Sequence, residues 1–235
     1  MSLLTTVQRF CERTNLNSPS TVMGTTDPQI KQIKNLLEEE GADLSGRGDW
    51  QALTNEAIHT TLAQENQGAI DTIASNGFRY IKNGTIWDRD LRLPVYVISD
   101  VDWQQVKATV VTGPRYQARI RGGDLISNPA PVAGNTWAFE YMSYNWLTDS
   151  GGTIYKEHFT DDGDLMLLPE RILLAGLRWR WKKEKGLEYS EDFRTYEGLV
   201  KDALGRQGMR RVMNLGARPY TPAPKVFVPD GDFNL

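Results

Sequence analysis

Reactive side chains are few and poorly spaced in this sequence, and that sets the first limits on its chemistry. His59 and His158 are the only histidines, far apart and without a Cys or carboxylate at helical ligand spacing, so no zinc site is expected. Cys11 is the single cysteine, which excludes an internal disulfide and a cysteine-based metal site. Asp161-Asp162-Gly163-Asp164 has the charge for calcium but neither the loop pattern nor the closing Glu, and reads instead as a loop capping a helix from Leu165. Arg121-Gly122-Gly123-Asp124 lacks the strand-to-helix setting of a phosphate loop and reads as a hairpin turn. Arg47-Gly48-Asp49 reads as a helix end leading into a strand. Two constellations remain. Glu140, Asp149 and Glu157 lie in or beside an aromatic-rich stretch and could supply a glycosidase-like carboxylate pair. Arg115, Arg119 and Arg121 with Tyr116 could hold single-stranded nucleic acid. Trp87, Trp103, Trp137 and Trp146 could stack on sugars or bases, but core or interface packing is the expectation for them.

The elements that must position these residues fall into two kinds. Asp164 to Gln207 reads as two helices back to back. Leu165, Leu168, Ile172, Ala175 and Trp179 mark one apolar face, and Leu174, Leu177 and Trp181 mark a second beside it. Gly186 sits where a left-handed C-cap belongs, after the cations Lys182, Lys183 and Lys185. Ser190 is the expected cap of the following helix, whose stripe is Tyr189, Phe193, Tyr196, Val200 and Ala203. At the other end of the chain, Leu3, Leu4, Val7, Phe10 and Cys11 predict a short helix ending near Asn15, and Asp27-Pro28 starts a second through Ile30, Ile33, Leu37 and Leu44. Four helices from the two chain ends should therefore form one small bundle.

Between them the period changes to strand alternation. Ala57 to Leu62, the runs flanking the hairpin signal Asn83-Gly84, Pro94 to Ile98, the pair joined by Gly122-Gly123, and Thr136 to Trp146 all read as strands. Ser99 with Asp102 resembles a capping box for a short helix through Trp103. The longest strand has large side chains on both faces, so it is either central in a two-layer domain or keeps one face for a partner. After Gly216, four prolines exclude a helix, yet Tyr220, Val226, Phe227, Val228 and Phe233 are too apolar for a purely solvating linker. The expected organisation is α+β: N-terminal helices over 1–50, an inserted antiparallel β-rich domain over 51–160, a C-terminal helical hairpin over 161–208, and an extended C-terminal arm over 209–235.

The 235 residues carry a net charge of -3, unevenly spread. Residues 168–215 hold 11 Lys and Arg against 7 Asp and Glu, whereas residues 1–167 hold 14 against 21, so a basic hairpin sits on an acidic body. Dedicated nucleic-acid readers carry a stronger basic excess. The apolar runs fall short of the roughly 20 residues that a membrane span needs, and the first ten residues lack the basic and apolar regions of an export signal.

Thr26-Asp27-Pro28-Gln29, Arg47-Gly48-Asp49-Trp50, Gly77-Phe78-Arg79-Tyr80-Ile81, Val111-Thr112-Gly113-Pro114, Ile120-Arg121-Gly122-Gly123, Asn128-Pro129 and Glu191-Asp192-Phe193-Arg194-Thr195-Tyr196, taken in that order, resemble the head-to-tail adaptor (connector) proteins of short-tailed bacteriophages. The similarity runs from about Leu3 to Gly216. It implies a ring of twelve copies at the head-tail junction of the virion, made in the host cytoplasm, below the portal protein and above a tail nozzle or tail tube protein. Double-stranded DNA would pass through the lumen without sequence reading, and no catalytic residue, cofactor or membrane is implied. Within that picture Arg178, Trp179, Arg180 and Trp181 are expected at or near the subunit interface. Tyr220, Val226, Phe227 and Phe233 are expected to dock on the portal or on a neighbouring copy. The alternative is a carbohydrate-active β-domain protein using Glu140 and Glu157.

Overall fold

The computed structural model describes residues 1–108 and 115–207. Helix α1 (Leu3–Thr14) is capped by Ser2, whose hydroxyl accepts from the Thr5 amide at 3.3 Å, and it ends at Asn15 in the left-handed region with φ 56°. The Leu3 and Leu4 amides donate to the carbonyls of Asp164 and Asp162, so residues far along the chain satisfy part of the helix start. Helix α2 (Pro28–Gly46) opens as its sequence demands: Asp27 accepts from the Gln29 amide at 2.8 Å and Pro28 takes the first turn.

The next stretch holds β1 (Thr54–Thr60), β2 (Asn66–Ala69), the single turn α3 (Ile70–Ile73), β3 (Tyr80–Ile81), β4 (Trp87–Asp88), β5 (Leu93–Pro94) and β6 (Tyr96–Val97). Then come α4 (Asp100–Ala108), β7 (Gln117–Arg121), β8 (Asp124–Asn128) and β9 (Thr136–Met142). Strand β9 is central, with β1 along one edge and β3 and β4 on the other, and β5 extends the sheet beyond β4. A second sheet has the order β2-β8-β7-β6, antiparallel except for the β6–β7 pair. The β7–β8 hairpin turns through Gly122 and Gly123 at φ 61° and 88°, the left-handed pair that this tight turn requires. Ser99 caps α4 as expected, its hydroxyl accepting from the Asp102 amide at 3.2 Å, while the Asp102 carboxylate accepts from that hydroxyl at 2.7 Å and not from the Ser99 amide of a full capping box. The Asn83-Gly84 turn departs from expectation. Its flanking strands β3 and β4 both pair with β9, at different heights, and not with each other. Strand β3 pairs at Tyr141 and Met142 of β9 and β4 at Trp137 and Ala138, so the turn between them carries the chain along one edge of β9.

The chain closes with β10 (Leu147–Thr148), β11 (Tyr155–Lys156), β12 (Leu165–Met166), α5 (Glu170–Glu184) and α6 (Ser190–Gln207). Helix α5 therefore starts later than the spacing of Leu165 and Leu168 suggests. Leu165 and Met166 pair with Thr148 and Leu147 instead, and Pro169, which has no amide to donate, holds the N-cap position with ψ 121°. Ser190 is likewise the first residue of α6, not its cap.

Two hydrophobic cores result. One joins α1, α2, α5 and α6 through Leu3, Phe10, Ile33, Leu37, Leu44, Leu173, Leu177 and Val200, the four-helix arrangement expected from the two chain ends. Trp50, Leu53, Trp146, Leu147 and Phe159 also fill this core, so packing gives the helical body both ends of the stretch read as inserted β domain. The other core lies between the two larger sheets and is built from Ala57, Val95, Ala118, Leu125, Trp137, Phe139 and Tyr141.

Candidate functional site

The α5–α6 hairpin forms because Gly186 allows a left-handed turn that the helix end needs. At φ 67° its amide donates to the Lys183 carbonyl at 3.0 Å, and the Leu187 amide reaches back to Lys182 at 2.9 Å. The first turn of α6 then meets the last turns of α5. Asp192 receives both Arg178, at 3.2 Å, and Lys182. Trp179 becomes the centre of an aromatic cluster, with Phe193, Tyr196 and Tyr189 at ring-centroid distances of 5.2, 6.2 and 6.3 Å. The Arg180 guanidinium lies 4.8 Å from the Trp179 ring centre.

Of the four residues expected at a subunit interface, Arg178 is exposed and Trp179 is half-buried, while Arg180 and Trp181 are buried within the chain. Trp181 packs edge-on against Phe10 of α1 with Lys185 over its ring. Arg180 spans to α2, where Glu40 Oε2 accepts from Nε at 2.7 Å and Glu39 and Asp43 take the terminal nitrogens. Burial works against the Arg180 charge, yet these carboxylates outweigh it and raise the pKa. Glu40 is fully buried, and burial pushes its carboxyl up although the Tyr196 hydroxyl and Arg180 both pull it down. Its Oε1 has no hydrogen-bond partner among the described residues and lies against Gly176, where an added Cβ would come within 2.2 Å. Nothing local in the sequence marks Arg180 as the buried cation. The signal was the run Glu38-Glu39-Glu40 with Asp43 on a helix that also carries the core stripe.

The surface left by the hairpin is therefore Arg178 with the exposed Leu187, Tyr189 and Phe193. Around the corner, α1 and α5 border a groove of about 520 Å³ lined by Phe10, Leu174, Trp181 and Leu187, with Arg13, Arg178 and Lys182 around it.

The other candidate residues are dispersed. Glu140 faces Glu56 across the β1–β9 pairing, with Lys82 3.9 Å away and Arg89 holding Glu56, in a shallow groove that also includes Trp87. Glu157 follows β11 in the small sheet, and Asp149 accepts from the Thr153 and Ile154 amides, which hold its pKa down to about 2. Tyr116 is buried against Trp137 and cannot serve as an exposed stacking platform, while Arg119 pairs with Asp100 at 2.9 Å. Trp103, Trp137 and Trp146 are core residues, as expected, and Trp87 is half-buried. The acidic loop is internally committed: Asp162 accepts from the Val22 and Met23 amides, and Asp164 from Lys156 and the Thr160 amide. Arg47 binds Glu197 in a fork, and Asp49 accepts from Tyr80. Tyr220, Val226, Phe227 and Phe233, like the Val111–Pro114 piece, lie outside the described residues. Among the described residues no group of His, Cys, Asp and Glu could hold a metal ion, and no helix is long and apolar enough to cross a membrane. No family model matches the sequence, and no curated protein matches it.

Proposed function

We propose that this chain is a head-to-tail adaptor of a short-tailed bacteriophage, a structural virion protein without catalytic activity. Twelve copies would form a ring that joins the portal to the tail nozzle or tail tube and extends the DNA channel. The observation that carries this reading is the architecture: helices from both chain ends close one bundle around a β-rich insertion, in the order of the pieces that resemble the adaptor family. The α5–α6 hairpin supports it by leaving Leu187, Tyr189 and Phe193 exposed beside Arg178, apolar area of the kind that neighbouring subunits cover. The apolar residues of the arm, from Tyr220 to Phe233, dock on the portal or a neighbouring copy, with strand addition through Val226-Phe227-Val228 as the binding mode. The acidic balance of residues 1–167 suits a channel that passes DNA without holding it.

The test is the native mass of the portal ring from the same genome before and after addition of excess chain. Twelve subunits of 26.6 kDa add about 319 kDa, and saturation at that increment is the expected result. A well-formed portal that gains no mass removes the adaptor reading.

The carbohydrate-active reading rests on the shallow groove in which Glu56 and Glu140 face each other beside Trp87. Turnover of a host surface polysaccharide, lost in Glu140→Gln, would select it.

A further inference from the structure

The groove between α1 and α5 combines a floor that favours an aromatic side chain with a border that favours negative charge. Phe10, Leu174 and Trp181 form the floor. Leu187, 55% exposed, forms an apolar lip. Arg13, Arg178 and Lys182 stand around it, while Asp192 pairs with Arg178 and Lys182 and Glu188 also lies within the field of Lys182. Arg13 is exposed at this opening.

The chain itself contains a segment of matching chemistry. Residues 208–225 carry four cations, Arg210, Arg211, Arg218 and Lys225, and no acid. Residues 226–235 reverse this, with Asp230 and Asp232, no cation, and the apolar Phe227, Phe233 and Leu235. Reach is ample. The last turn of α6 lies by the start of α5, where Ala203 and Arg206 share a hollow with Pro169 and Ile172. From Ile172 to Trp181 is about 14 Å along the helix, at roughly 1.5 Å per residue. The eighteen intervening residues can extend about 60 Å.

We propose that in the free chain, before any partner is met, the acidic, aromatic segment 226–235 occupies the α1–α5 groove of its own chain, with Phe233 against Leu174 and Phe10 and with Asp230 and Asp232 against Arg13 and Arg178. The tether makes the contact intramolecular, so it forms at any protein concentration. This does not rest on the adaptor reading, and its test needs no portal.

The experiment uses the full-length chain with a nitroxide placed through Asn234→Cys; the native Cys11 is buried. The expected result is selective broadening of the Leu174 and Leu187 methyl signals in the labelled chain, independent of concentration. Asp230→Lys with Asp232→Lys should abolish it, and adding Arg13→Glu and Arg178→Glu to that variant should restore it. Both arginines are exposed, so these changes leave the core intact. Three outcomes overturn the proposal: no selective broadening, broadening indifferent to the charge reversals, or broadening seen only when spin-labelled and isotope-labelled chains are mixed, which would assign the occupant to a second copy.

Discussion

Arg180 shows how far a single side chain can depart from its apparent place. Its neighbours in sequence are cations and tryptophans on a helix whose far end is solvated, and its partners Glu39, Glu40 and Asp43 lie on α2. Removing it strands Glu40 as a buried charge whose Oε1 already lacks a donor. Arg180→Met should therefore cost about 3–5 kcal/mol in urea unfolding. Pairing it with Glu40→Met should recover most of that loss, because the desolvated charge disappears with its partner. Asp164 supplies the pH dependence. Burial alone would raise its pKa, but Lys156 and the Thr160 and Asp161 amides prevail and lower it. A carboxyl held below its unfolded value of about 3.9 contributes stability that is complete above that pH and is lost as pH falls through the lowered pKa. Asp164→Asn should flatten the acid limb of the stability curve and lower stability at neutral pH, both measurable by denaturant titration from about pH 2 to 7. The sequence marks Trp103, Trp137 and Trp146 as packing residues correctly, since size is a local property, whereas Trp87 is half-buried and Leu165 leaves the helical stripe for a strand. The burial of Arg180 was not readable from its own neighbourhood, because it depends on three carboxylates more than a hundred residues away.

Helix starts were legible where the cap is local, and illegible where a distant segment decides. Ser99 and the Asp27-Pro28 pair carry their own capping chemistry, and the structure uses both. Leu165 and Leu168 fit a helix face by spacing, yet β10 and the start of the chain recruit Leu165 and Met166 into a sheet, and Pro169 sets the boundary. Asn83-Gly84 has the same lesson, since its flanking strands answer to β9. Close helix approaches give sharper predictions. Gly41 on α2 lies under Trp146, and an added Cβ would come within 2.3 Å of the indole. Gly41→Ala improves helix propensity by about 1 kcal/mol, but displacing a fully buried indole costs more, so a net loss of roughly 1–3 kcal/mol is expected by thermal or urea unfolding. Gly198 on α6 meets nothing within 4 Å, and Gly198→Ala should stabilise by up to about 1 kcal/mol.

At the scale of the whole molecule, the sequence conveyed the α+β class and the pairing of the two chain ends, while packing set the boundary between the bodies. The adaptor proposal makes its own demands at this scale. Arg178→Glu, which keeps the fold because the side chain is exposed, should weaken assembly on the portal, as should deletion of residues 219–235; gel filtration of the mixtures measures both. Strand β9 carries a further consequence. Met142, at its end, belongs to the helical core, whereas Trp137, Phe139 and Tyr141 belong to the core between the sheets. The two bodies thus share one continuous strand, and fraying it from either side strips both of their contents. Amide protons of Ala138 to Met142 should therefore exchange only through opening of the entire chain, and heat absorption should show one peak where two separable bodies would give two.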